Sequence, residues 1–203
     1  MPEPARNPIS ARNDAFESRR LEILRSAALA FAEEGYHQTS VNSLGEQLGV
    51  SKPVLYYYAK NKDDLLFQCG EIARAELRQA IEEAAAAQMS GLGRIRRFFS
   101  AYAEIMCGEF GRCLALVDHR ALNPETRAKD VAVRRALEAA VQDMLREGQD
   151  DGSIGRCDLV LTTRALFGAF NGIPRWFRRD GKLNAADVAE SYLDTFVVGF
   201  GKR

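Results

Sequence analysis

Apolar residues recur at three- and four-residue spacing along most of this chain, and no run of alternating residues bounded by turns interrupts them. From about Ala15, the positions Leu21, Leu24, Ala28, Phe31 and Ala32 form one apolar face. Gly35, which accepts a left-handed backbone, ends that helix. Thr39 and Ser40 offer hydroxyl caps to a second helix that reaches about Leu48 before Gly49 breaks it. Ser51 caps a third, with Pro53 in the first turn, where a missing N–H is no loss. It stops near Asn61, and Asp63 and Asp64 suit the positive start of a long fourth helix reaching about Gln88.

Beyond Gly91 and Gly93 the same periodicity predicts helices at about 93–109, 112–122, 124–147, 158–178 and 185–199. The breaks between them fall at Gly108 and Gly111, at Asn123-Pro124, at the run from Gly148 to Gly155, and at Asp180-Gly181. The expectation is an all-α protein in three parts: a disordered tail over 1–14, a three-helix unit over 15–62, and a larger helical domain over 63–203. Within the second part, the helix-turn-helix falls at about 40–59.

With 203 residues and 46% hydrophobic content, the chain can bury a real core. Its 28 basic and 28 acidic side chains cancel, so bulk charge points to no partner. No apolar run approaches the roughly 18 residues of a spanning helix, and the prolines and arginines near the start (Pro2, Pro4, Arg6, Pro8, Arg12) frame no secretory signal. A cytoplasmic protein with no membrane partner is expected. The four cysteines form no CxxC pair, and His37 and His119 are the only histidines, so neither metal nor cofactor is expected. Buried, reduced thiols are the plain reading, and a Cys107/Cys113 redox or heavy-metal pair is the sharper one.

One local feature changes the picture. Between Glu46 and Asp63 there is no acidic residue, while Lys52, Lys60 and Lys62 all fall in that window. Packing small helices requires no such gap, but laying one against phosphates does, because each carboxylate would repel the polyanion. Leu44, Leu48, Val50 and Leu55 are spaced to close a small core, which leaves Lys52, Pro53 and Val54 at the front of the third helix. Lysine can donate to guanine O6 and N7, and valine and proline can touch thymine methyls. Tyr56, Tyr57 and Tyr58 sweep about 100° each around a helix, so at least one hydroxyl must face outward.

The segment from about Arg20 to Leu66 resembles the DNA-binding domain of the TetR family of transcriptional regulators. The likeness rests on the Gly35-Tyr36 step, Thr39-Ser40, the turn from Leu48 to Ser51, the Leu55-Tyr56 pair, and Asn61 to Asp64. It implies base-edge contacts from Lys52, Pro53 and Val54, and phosphate contacts from Ser40, Tyr56, Tyr57, Tyr58 and Lys62, with Asn42 and Ser51 beside the groove. Two positions depart from the family's pattern. Gly45 replaces a usual alanine, costing about 1 kcal/mol of helix propensity. Ala59 replaces a larger apolar residue, which predicts a looser end to the third helix.

The resemblance also implies that 63–203 is a ligand-binding and dimerisation domain. Ala165, Gly168, Ala169 and Gly172 are small residues at helical spacing that let another backbone approach, and Tyr192 and Phe196 on the last helix could join them in a four-helix dimer interface. Intramolecular packing is the competing reading. Candidate pocket residues are Phe98, Phe99, Tyr102, Met106 and Phe110, then Leu116 and His119, with a wall from Phe167, Phe170 and Asn171. Arg175, Trp176 and Arg178, just after Pro174, mix stacking planes with phosphate-capable guanidinium groups. That run is similar to a subgroup of TetR-like repressors that sense acyl-CoA thioesters in steroid or fatty-acid catabolism.

The function expected is therefore a ligand-released, dimeric repressor of a palindromic double-stranded operator, with an acyl-CoA or other apolar effector. An enzyme lacks its parts here: there is no nucleophile elbow, phosphate-cradling loop or metal triad. A helical protein-interaction module using the tyrosines as anchors is the other alternative.

Overall fold

The computed structural model describes residues 8–118 and 122–199, and among these every regular element is helical. Arg6 and His119 lie outside the described residues. Helix α1 spans Pro8–Ala30 and runs on through one wide turn, Phe31–Gly35. Then come α2 (Val41–Leu48), α3 (Lys52–Tyr58), α4 (Lys62–Ala86), α5 (Gly91–Cys107) and α6 (Glu109–Leu116). The chain ends with α7 (Pro124–Asp150), α8 (Leu159–Phe170), α9 (Ile173–Trp176) and α10 (Ala185–Val198).

Most ends fall within about three residues of those expected, and three differences are larger. The first helix starts at Pro8, so 8–14 are helical and not part of a disordered tail. Proline is preorganised for a first turn, and the polar residues after it continue a helix whose apolar face begins later. The helix expected over 112–122 begins at Glu109 and ends at Leu116. The single helix expected over 158–178 is two, broken at Asn171-Gly172. Pro174 explains the break: its ring would strike the carbonyl of Phe170 four residues back, and it has no N–H to donate there.

Two apolar cores result. The first joins Ile23 and Leu24 of α1, and Phe31 of the wide turn after it, to Leu44, Leu55, Leu65, Leu66 and Cys69. It also takes in Phe110, Cys113 and Val117 from α6 and the residue after it. The second gathers Phe98, Phe99, Met144, Leu166, Phe170 and Leu193 from α5, α7, α8 and α10. Helix α4 contributes to both, Leu65 to Ala73 in the first and Leu77 to Ala84 in the second. Gly111 lets α6 turn hard against the end of α5, because a Cβ there would run into the Ile105 carbonyl and Met106 backbone.

Candidate functional site

The helix-turn-helix is fixed by local chemistry at each joint. Ser40 caps α2: its hydroxyl accepts from the Ser43 N–H at 3.0 Å, and the Ser43 hydroxyl accepts in return from the Ser40 N–H at 3.1 Å. Thr39 is no cap. It is buried, and its hydroxyl donates to the Gly35 carbonyl at 3.0 Å, closing the turn that leaves α1. Gly49 takes φ +63°, a left-handed value that glycine adopts without strain. Gly45 has a use that propensity hides. A Cβ there would sit 2.9 Å from the Val50 carbonyl oxygen, so the glycine lets the turn fold back tightly on α2.

Helix α3 is anchored by Leu55, which is buried, while Lys52, Pro53, Val54, Tyr56 and Tyr57 are exposed. Tyr57 is 72% exposed. Tyr58 is half-buried and stacks on Phe16 with ring centroids 5.0 Å apart. Phe16 also meets the edge of Tyr57 at 5.6 Å, so α1 supports the end of α3. Ala59 is buried there, and Gln68 of α4 donates to the Tyr58 carbonyl at 3.1 Å while accepting from Arg20 of α1 at 2.9 Å. The looser end expected from Ala59 is thus tied by other groups. Ser40 and Ser51 are exposed at the starts of α2 and α3, and Asn42 is exposed in the first turn of α2.

Lys62 corrects an expectation. Its ammonium donates to the carbonyls of Tyr36 at 2.8 Å and Thr39 at 3.0 Å and lies 4.3 Å over the Tyr36 ring. A lysine so engaged locks the turn after α1 and is not free to meet a phosphate. Tyr36 in turn donates to Asp63, and burial with that carboxylate beside it pushes its phenol well above the usual range.

The second site is a cavity of about 270 Å³ between α4, α5, α6, α7, α8 and α9. Of the expected residues, Tyr102, Met106, Phe167, Asn171 and Arg175 line it. Tyr102 donates to Asn171 Oδ1 at 2.5 Å, and burial pushes its phenol up. The others lie elsewhere. Phe98, Phe99 and Phe170 are fully buried core, with Phe99 and Phe170 rings 4.6 Å apart. Phe110 belongs to the core shared with α1. Leu116 is half-buried and not among the cavity's lining. Trp176 turns away from the cavity toward Tyr192, 6.4 Å between rings, and Arg178 pairs with Asp180 at 3.2 Å. The break before Pro174 is the cause, since it reorients everything after Gly172.

The expected residues also omitted much of the lining. Arg74 and Leu77 come from α4, Leu114 and Ala115 from α6, and Asp130, Val133, Arg134, Leu137 and Glu138 from α7. The spacing 130, 134, 138 beside 133 and 137 traces one helical face, a signal that could have found them.

Of the expected dimer residues, Ala165, Gly168 and Phe196 are exposed, and Ala169, Gly172 and Tyr192 are half-buried. Nothing lies within contact distance of a Cβ built on Gly168. Helix α10 packs on α5 through Val188, Ala189 and Leu193. The cysteines are free thiols. Cys69 and Cys113 share the core that includes α1, whereas Cys107 lies in the other core; a hydrogen bond with the Cys113 thiol, and burial, push Cys69 well above its usual value. Burial likewise raises Cys107, to about 11.

An exposed, acid-free helix after a left-handed glycine, mounted on a helical domain with a cavity, defines a helix-turn-helix DNA-binding protein with a sensor domain. The comparisons make this specific. Residues 23–69 match the domain described as "Bacterial regulatory proteins, tetR family", and residues 88–200 match "Tetracyclin repressor-like, C-terminal domain". The chain belongs to the TetR family and is a ligand-responsive, DNA-binding transcriptional regulator, not an enzyme.

Among similar proteins is the "Fatty acid metabolism regulator protein" of Bacillus subtilis, 24% identical over 186 residues, 90% of this chain and 96% of that one. The crystal structure of the TetR family regulator PfmR from Thermus thermophilus superposes with TM-score 0.81 at 34% identity, covering 89% of this chain and 99% of PfmR. The structure of AibR "in complex with isovaleryl coenzyme A and operator DNA" superposes with TM-score 0.74 at 21% identity, covering 87% and 97%. No helix among the described residues is long and apolar enough to cross a membrane.

Proposed function

We propose that the protein is a homodimeric repressor that grips a palindromic operator with two copies of α3 and releases it when an acyl-CoA thioester enters the cavity. The observation that carries this reading is the α3 face: Lys52, Pro53, Val54, Tyr56 and Tyr57 stand exposed together in a stretch of chain that holds no carboxylate. In a dimer, two such helices would read major grooves about 34–36 Å apart. Lys52, Pro53 and Val54 would meet base edges, with Ser40, Tyr56, Tyr57 and Tyr58 on phosphates and Asn42 and Ser51 at the groove's margin.

A second copy would cover the apolar surface of α8 and α10. Leu161, 63% exposed, stands there with Val160, Phe196, Val197 and Val198, around Ala165 and Gly168. So much exposed apolar surface on two helices is characteristic of an interaction site.

The effector reading draws on the cavity. At about 270 Å³ it falls just under the usual range of about 300–1,000 Å³ for small-molecule pockets, so it suits an acyl group and not a whole coenzyme. Arg134 and Arg175 are exposed at its edge, where they can meet phosphates outside. That AibR was solved with a CoA thioester and DNA together, and that the Bacillus relative is named for fatty-acid metabolism, support the same class.

The test is selection of bound duplexes from genomic DNA, followed by titration of the complex with acyl-CoA thioesters. A palindromic site should be recovered, and a thioester should release it. The Lys52→Glu/Tyr57→Ala double variant should remain dimeric and lose the site. Unchanged binding by that variant would remove α3 as the reading helix.

A further inference from the structure

Phe16 is the one large apolar residue between Ile9 and Leu21, and it lies ahead of the segment 23–69 that matches the family's DNA-binding domain. It is half-buried and belongs to neither core. Its ring contacts are with α3. It stacks on Tyr58, with centroids 5.0 Å apart and planes 28° from parallel, and meets Tyr57 in a T-shaped pair at 5.6 Å and 85°. Tyr57 and Tyr58 meet each other at 5.2 Å and 86°, so the three rings close a triangle in which each touches the other two.

The backbone at the end of α3 is held without this ring. Leu55 and Ala59 are buried, Gln68 donates to the Tyr58 carbonyl at 3.1 Å, and Asp64 accepts from the Lys60 N–H at 2.8 Å. Those contacts leave undecided the direction of two side chains. At 72% exposure Tyr57 would otherwise sample several staggered rotamers. A tyrosine ordered only on meeting a phosphate gives up part of that contact to the ordering. Stacked and T-shaped aromatic pairs are favourable at these separations, so Phe16 narrows the freedom of both rings before DNA arrives. The turn of α1 that carries Phe16 is unsuited to DNA on its own account, since Asp14 and Glu17 are exposed there and would repel phosphate.

We propose that Phe16 is a positioning residue for operator binding, presetting the rings of Tyr57 and Tyr58 so that their hydroxyls reach phosphate oxygens already ordered. This rests on the reading of α3 above.

The experiment measures Tm, and affinity for the duplex recovered by the genomic selection, by fluorescence anisotropy across a salt series. The full chain is compared with Phe16→Leu, Phe16→Tyr, the double variant Tyr57→Phe/Tyr58→Phe, and that double variant combined with Phe16→Leu. Phe16→Leu keeps an apolar side chain without a ring and should weaken binding about threefold to tenfold. The salt slope should not change, because a tyrosine hydroxyl carries no charge and releases no counterion. Phe16→Tyr keeps the ring and should bind as the wild type does; a loss as large as that of Phe16→Leu overturns the inference. Once both hydroxyls are gone, Phe16→Leu should cost no further affinity, while its effect on Tm should be the same in both backgrounds because the tyrosine rings remain. A merely structural Phe16 predicts otherwise: an equal loss of affinity in both backgrounds, or a reduced slope as α3 shifts its lysines. Either result overturns the inference. So does wild-type affinity in Phe16→Leu where the double tyrosine variant binds weakly, and that outcome leaves the α3 reading standing. If the double tyrosine variant binds as the wild type does, or no duplex is recovered, the tyrosine contacts of that reading fall and this inference with them.

Discussion

Replacing Lys62 with methionine keeps the apolar stem and removes the ammonium, which separates two roles that one lysine could hold. In the structure Nζ donates to the Tyr36 and Thr39 carbonyls at 2.8 and 3.0 Å, and both of those residues are buried. Leaving a buried acceptor without its donor costs about 1–3 kcal/mol. Two opposing effects reduce the sum. Lys62 is itself half-buried, so water reaches part of the site. It also opens α4, where a positive charge is opposed by the helix dipole, and its removal returns about 0.3–1 kcal/mol. The balance is a loss of about 2 kcal/mol, or about 4–8 °C in Tm for a chain of this length. Operator binding across a salt series supplies the other half of the assay. A lysine turned inward releases no counterion, so the slope of log K against log salt should not change. A lost phosphate contact would instead lower its magnitude by about 0.9 for each subunit. A Lys62→Met protein with unaltered Tm and a reduced slope would refute the turn-locking role.

Tyr57→Phe removes only an exposed hydroxyl, so Tm should hold while operator affinity falls by about 1 kcal/mol, read by fluorescence anisotropy. Gly45→Ala should fail to gain the roughly 1 kcal/mol that propensity promises, because its methyl meets the Val50 carbonyl at 2.9 Å; urea denaturation showing a full gain would contradict the close turn. Asp151 accepts from the Ser153 N–H at 2.8 Å and the Gly91 N–H at 2.7 Å, and these bonds, with the Ser153 hydroxyl, hold its carboxyl below the usual value. The stabilisation is present above the unfolded value of about 3.9 and is lost as pH falls through the lower folded one. Asp151→Asn should therefore trail the wild type at neutral pH and converge with it only in strong acid, measured by denaturant unfolding across pH.

The DNA-reading unit was legible in the sequence because its signals are local. A serine cap, a left-handed glycine and a proline at a helix start each act within a turn or two of the chain, and Ser40, Gly49 and Pro53 are found as expected, although Ser51, at the N-cap of α3, makes no capping bond with its side chain. Lys62 was misread for the opposite reason: its partners Tyr36 and Thr39 lie more than twenty residues back, and nothing near Lys62 announces them. The cavity shows the same limit. Its aromatic stripe is real, but Phe98 and Phe99 point into the bundle while Tyr102 and Met106 line the space. Which side faces the cavity depends on where α7 crosses. The α7 face at 130, 134 and 138 could be read from spacing, but the pairing of Asp130 with Arg74 joins residues 56 apart in sequence and could not.

The two cores explain how, on the proposed reading, an effector could act at a distance. Helix α6 is only 8 residues long, yet Leu114 and Ala115 line the cavity while Phe110 and Cys113 pack against α1 and α4. Its start is pinned by Glu109, which pairs with Arg25 of α1 at 3.4 Å and with Arg179 beyond α9 at 3.3 Å. Gly111 presses its backbone on α5, leaving little room to slide there. Pushing on the Leu114 side must therefore tilt the helix about that end, and the tilt bears on Leu24, Cys69 and the rest of the core that holds α3. Close-packed cores resist gradual deformation and favour a small number of alternative arrangements. An occupant that fits one arrangement better than the other shifts the balance by that difference in affinity and by no more. The free energy available to release DNA is then set at the cavity wall, by the contacts α4, α6 and α7 offer the bound group.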